Sequence, residues 1–80
     1  MKAVIYIDVK KNFGKRKTST IDVQYDIDIA CIKIEEIGKA IQSLNKSASV
    51  TISYHIFNSI SGTWMEMVVY YANEKRLIKL

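Results

Sequence analysis

An α+β domain, with one helix laid on one face of an antiparallel sheet, is what the hydrophobic periods of this chain predict. Three observations carry that reading. Apolar residues alternate with period two in paired segments before and after the middle of the chain. Between those pairs the period lengthens to about 3.6. Clusters rich in Asn, Ser, Gly and Lys separate the alternating segments. The order is ββαββ, giving a four-stranded antiparallel sheet with Arg76–Leu80 as either a short edge strand or a frayed tail. Eighty residues make one domain, 1–80, with no room for a second core.

The first strand is read from Ala3, Ile5, Ile7 and Val9, whose odd positions are apolar while Val4, Tyr6 and Asp8 are mixed. The basic run Lys10-Lys11-Asn12-Phe13-Gly14-Lys15-Arg16-Lys17 follows and reads as a long loop tip, with Asn12 and Gly14 supplying turn chemistry. Ile21–Ile29 then alternates without a fault and carries three aspartates and no cation, so it reads as the returning strand. Ala30, Ile34, Ile37, Ile41 and Leu44 step by four and three residues, which marks one apolar stripe of a helix. Glu35 and Lys39 are spaced as an i,i+4 pair on it, and Glu35 and Glu36 are expected in its early turns. Its start is open between a cap at Asp28 and a strand that persists to about Ile32; Asn45 is the expected stop. Val50–Phe57, the loop Asn58–Gly62 and Thr63–Tyr71 make a second hairpin, and Ala72–Lys75 breaks the pattern.

One helix covers only one face of such a sheet. Strict alternation assigns the covered face to Ile5, Ile7, Val23, Tyr25, Ile27, Ile52, Tyr54, Ile56, Met67 and Val69. The opposite face then presents Tyr6, Asp22, Gln24, Asp26, Thr51, Ser53, His55, Phe57, Trp64, Glu66, Val68 and Tyr70. A solvated antiparallel face is normally polar. Four aromatics mixed with acids therefore point to a partner, and Tyr6, Asp22, Asp26, Phe57, Trp64 and Tyr70 are the expected interface.

The second candidate surface is the basic tip. Lys10, Lys11, Lys15, Arg16 and Lys17 can neutralise phosphates, and Phe13 can stack on a base or wedge into a groove. Net charge is only +4, so a broad positive field is not expected. Other chemistry has little foothold. Asp22, Asp26 and Asp28 share one strand face in this reading and suit a basic partner better than a metal. Cys31 and His55 are each alone of their kind, and the period places them on opposite faces, too far apart for a nucleophilic pair. Glu66 stands between Met65 and Met67 with no partner for general-base work. Gly14, Gly38 and Gly62 are isolated and make no phosphate loop. No catalytic residue, metal or cofactor is therefore expected.

A single cysteine excludes an intrachain disulfide and suits a reducing, cytoplasmic setting. The short apolar run that ends at Asp8 lacks the features of a signal peptide, and no stretch has the length of a membrane span. A soluble protein without membrane contact is the expectation. So small a core gains stability from self-association, and a homodimer is expected. Thirteen isoleucines, ten lysines against two arginines and no proline fit an A/T-rich bacterial or phage genome. In size, element order and composition the chain looks like many small phage or mobile-element proteins. Such proteins often act as inhibitors or regulators of host machinery, anti-CRISPR and other counter-defence proteins among them, a likeness of class that transfers no residue. The leading expectation is thus a non-enzymatic protein that binds a macromolecule, a protein first, through the basic tip and the aromatic–acidic face. The alternative is direct nucleic-acid binding by loop 10–17.

Overall fold

In the computed structural model, which describes residues 2–80, the chain runs β1 (Ala3–Lys11), β2 (Arg16–Val23), α1 (Ile27–Leu44), β3 (Ala48–Asn58), β4 (Thr63–Tyr71) and β5 (Arg76–Lys79). The sheet has five strands in the order β2-β1-β3-β4-β5, and every neighbouring pair is antiparallel. The α+β reading stands, and the C-terminal segment is an edge strand.

The first hairpin and the helix start both differ from the periodicity. The returning strand is Arg16–Val23, not Ile21–Ile29, and pairs with β1 from Lys10↔Arg16 to Ala3↔Val23. Its first five residues, Arg16–Thr20, lie on an exposed edge and include no apolar residue, so no alternation marks them. The helix begins at Ile27, and its cap is Asp26 rather than Asp28. Asp26 is extended, and its Oδ1 accepts from the backbone N–H groups of Asp28 at 3.1 Å and Ile29 at 3.2 Å. These bonds satisfy donors that a helix start otherwise leaves unpaired. Ile27 belongs to both periods, and over so few residues the two cannot be told apart. Asp28 is the first-turn acid; Glu35 and Glu36 lie mid-helix, where Glu35 holds Lys39 at 3.1 Å. The helix ends at Asn45, whose Nδ2 donates to the Ile41 carbonyl at 2.9 Å.

A bulge in the second hairpin reverses the expected faces of the second half of β4. Tyr54 pairs with Val68 but His55 pairs with Glu66, so Met67 is an extra residue. Beyond it the alternation is inverted. Val68 and Tyr70 point to the helix side and are fully buried, whereas Val69 and Tyr71 lie on the open side beside Ser53 and Thr51. Tyr70 therefore leaves the open face to which strict alternation had assigned it.

α1 crosses β3 and β4. The core between them is built from Ile5, Ile34, Val50, Ile52, Tyr54, Val68 and Tyr70, all below 2 % exposed. Gly38 allows the close approach: a Cβ there would lie 2.5 Å from Cδ2 of Tyr70 and 3.3 Å from Cγ1 of Ile52. Two polar ties hold the edges of this core. The Tyr54 hydroxyl donates to the Tyr25 carbonyl at 2.6 Å, fixing the β2–α1 connection to β3. Asn73, in the turn before β5, accepts from the Val50 N–H at 2.8 Å and donates to the Ala48 carbonyl at 2.7 Å. Its amide thus stands in for a neighbouring strand at the start of β3. Among the described residues no helix is long and apolar enough to cross a membrane.

Candidate binding surface

The face of the sheet turned away from α1 is ordered by the strand register. At one end Phe57 of β3 pairs with Trp64 of β4, and the backbone N–H of Phe57 donates to the Lys2 carbonyl at 2.9 Å. The two rings meet edge to face at 5.3 Å, and Lys2 Nζ lies 5.2 Å from the Phe57 ring and 5.7 Å from Trp64. The ammonium is attracted to the negative ring faces and holds this corner together. The next row is Asp22, Val4, His55 and Glu66, on β2, β1, β3 and β4. After it come Thr20, Tyr6, Ser53 and Val69, then Thr18, Asp8, Thr51 and Tyr71, and last Arg16, Lys10 and Ser49.

Between the first rows a shallow groove of about 420 Å³ is lined by Val4, Tyr6, Thr20, Asp22, His55 and Trp64. Tyr6 and Trp64 are exposed at its walls, and the Tyr6 ring meets His55 edge to face at 6.1 Å. Apolar walls with a carboxylate and an imidazole at the rim suit a partner's side chain carrying both an apolar stem and a polar head. His55 Nε2 lies 2.8 Å from Ser53 Oγ and 3.9 Å from Glu66 Oε2. This is not a serine–histidine–acid relay. Hydroxyl and acid share one nitrogen, whereas a relay needs the acid on the other, and Ser53 is only 4 % exposed.

The basic end is narrower than a loop of eight residues. The turn lies between Lys11 and Arg16, so Lys10 and Lys11 end β1 and Arg16 and Lys17 begin β2. The five cations still gather at one end of the hairpin, but on both of its faces. Lys10 and Arg16 share the open face; Lys11 and Lys17 point to the other, and Lys15 precedes β2. Arg16 Nε lies 3.3 Å from Asp8 Oδ1, an ion pair that ties down one of the five. Phe13 stands fully exposed at the tip and is not folded back over the core.

Of the expected interface residues, the structure brings Tyr6, Asp22, Phe57 and Trp64 together on the open face. It removes Asp26, which caps α1, and Tyr70, which lies under the helix at 1 % exposure. The expected row of aspartates is likewise split between β2, the cap and the first helical turn, and no cluster of three metal-ligating side chains occurs among the described residues. Cys31 is buried in α1, with the sheet between it and His55. Lys2 and Tyr71 join the surface unforeseen. Lys2 carries no period signal, and Tyr71 reaches the face, 5.6 Å from the Arg76 guanidinium, only because of the bulge.

No protein-family model, curated protein or solved structure matches the chain. What the surface can bind follows from its own chemistry.

Proposed function

We propose that this chain is a non-enzymatic binding protein, an inhibitor or regulator that occludes a protein partner in the reducing cytoplasm. It docks through the open sheet face, with the basic hairpin end as a second contact. One observation carries the reading: Tyr6, Phe57 and Trp64 remain accessible on the uncovered face, on either side of the row that holds Asp22 and Glu66, with Lys2 beside Phe57 and Trp64. Aromatic anchors ringed by charged groups are the usual centres of protein interfaces. The face is also shallow, which suits a surface contact better than an enclosed substrate.

The test is affinity capture by the wild-type chain and by Tyr6→Ala/Trp64→Ala, followed by a Kd for the captured protein. Each anchor is worth about 2 kcal/mol, or ~30-fold in Kd, so loss of both weakens binding between ~30-fold and, if they add, about 1000-fold. A partner held equally well by both chains places the contact elsewhere and sinks the proposal.

A second reading, nucleic-acid binding by the hairpin end, is favoured by the exposed Phe13 among Lys10, Lys11, Lys15, Arg16 and Lys17. A ribbon tip that combines cations with an apolar wedge can grip phosphates and part stacked bases.

A further inference from the structure

The two edges of the sheet are protected unequally. β5 is four residues long and carries Arg76 and Lys79 at its ends, which suits a closed edge. β2 is eight residues long and exposed at all but Val23. Its register with β1 is unbroken, so it has no bulge, and the chain has no proline. Its middle, Thr18-Ser19-Thr20-Ile21, carries no charge, and α1 lies over β3 and β4 instead. None of the usual devices that stop edge-to-edge pairing guards this stretch.

The register also shows which backbone groups face outward. Phe57 N–H donates to the Lys2 carbonyl, so Lys2, Val4, Tyr6, Asp8 and Lys10 turn their backbone bonds toward β3. Ala3, Ile5, Ile7 and Val9 then bond to Val23, Ile21, Ser19 and Lys17 of β2. That leaves the N–H and C=O groups of Arg16, Thr18, Thr20 and Asp22 directed away from the sheet.

We propose that β2 pairs antiparallel with β2 of a second copy about a two-fold axis at Ser19, joining two sheets into one of ten strands. In this register Arg16 faces Asp22 of the second copy, Thr18 faces its Thr20, and the same contacts recur by symmetry. All four outward residues of each strand are used. The two side chains of opposite charge at the ends of the row, Arg16 and Asp22, meet across the edge. A shift of one pair in either direction leaves two outward residues unpaired and separates these charges. Asp22 has no ion-pair partner within its own chain among the described residues, and Arg16, whose Nε lies 3.3 Å from Asp8 Oδ1, has a largely exposed side chain with five guanidinium N–H donors. On the other face Lys17 lays its stem over the half-exposed Ile21 of the second copy. Such an isologous contact is self-complementary and closes at two subunits.

Sedimentation of the full chain tests this, read against the 9.2 kDa monomer mass. Wild type sediments as a concentration-dependent monomer–dimer mixture. Arg16→Asp or Asp22→Arg alone sets like charges opposite each other twice per dimer and weakens association about tenfold. The combined swap Arg16→Asp/Asp22→Arg restores it. Thr20→Pro removes an N–H that faces solvent in the monomer, so circular dichroism is unchanged while the dimer is lost. A wild-type chain that stays monomeric at millimolar concentration overturns the pairing. So does a dimer that withstands both single charge reversals, or one that the double swap fails to restore.

Discussion

The hydroxyl of Tyr54 is the one polar atom of a side chain that is otherwise fully buried, and it donates to the Tyr25 carbonyl at 2.6 Å. Tyr54→Phe leaves that carbonyl without its partner. The expected loss is about 1–2 kcal/mol, and a domain of this size loses roughly 4–8 °C of Tm per kcal/mol. The same burial raises the Tyr54 pKa above its ordinary 10.0, with the nearby Asp26 and Tyr25 adding to the effect. Burial raises the Tyr25 pKa in the same way. In the unfolded chain both phenols ionise near the ordinary value, whereas in the folded chain they hold their protons to higher pH. Between the two values the unfolded state has therefore lost more protons, and stability falls as pH rises. The contribution is fully present below pH ~10 and is lost as pH rises through the folded values. Thermal melts across that range should show Tm falling, and the Tyr54→Phe chain should fall less steeply. A wild-type Tm that is flat well above pH ~10 contradicts this account.

Packing of α1 on the sheet turns on Gly38. Alanine there improves helix propensity by about 1 kcal/mol, but its methyl would stand 2.5 Å from a Tyr70 ring that is 1 % exposed and backed by Ile52. Overpacking of that kind costs about 1–3 kcal/mol, so Gly38→Ala should destabilise on balance, as denaturant melts can show. The helix itself was readable because its stripe recurs over several turns, and so were β1, β3 and β4. Legibility failed where two periods overlap or where nothing is buried. Ile27 satisfies both strand and helix spacing, and only the bonds from Asp28 and Ile29 to Asp26 decide between them. Arg16–Thr20 has no buried side chain to mark it as strand. The bulge at Met67 is invisible to period-two reasoning, because Met65–Tyr70 is almost wholly apolar and fits either face. That is why alternation alone puts Tyr70 on the open face, whereas Tyr6, Phe57 and Trp64, on strands of unbroken register up to the bulge, lie on the face that alternation gives them.

Across the whole molecule the two candidate contacts stand at opposite ends of β1. From Lys10 to Lys2 is eight residues, roughly 27 Å of extended chain, within a body 40 Å long. No small ligand spans that distance, so a partner that touches both is a macromolecule. Their physics also differs. The corner of Tyr6, Phe57 and Trp64 is an apolar anchor whose contribution changes little with salt. The end carrying Lys11, Lys15 and Lys17 acts through charge and is screened over about 10 Å at 0.1 M salt. If the partner is a protein, Lys15→Glu/Lys17→Glu should mainly slow association and flatten its salt dependence, with modest change in dissociation. If the partner is nucleic acid, log K falls against log salt with a slope near −0.9 per phosphate neutralised on duplex DNA. The five cations of the hairpin end limit that slope to about −4.5. The same double variant should then all but abolish binding at moderate salt, whereas Tyr6→Ala/Trp64→Ala should leave it intact. Association measured for wild type and the two double variants from low to moderate salt separates the two, because only a protein docked on the open face loses affinity at every salt concentration when Trp64 is removed.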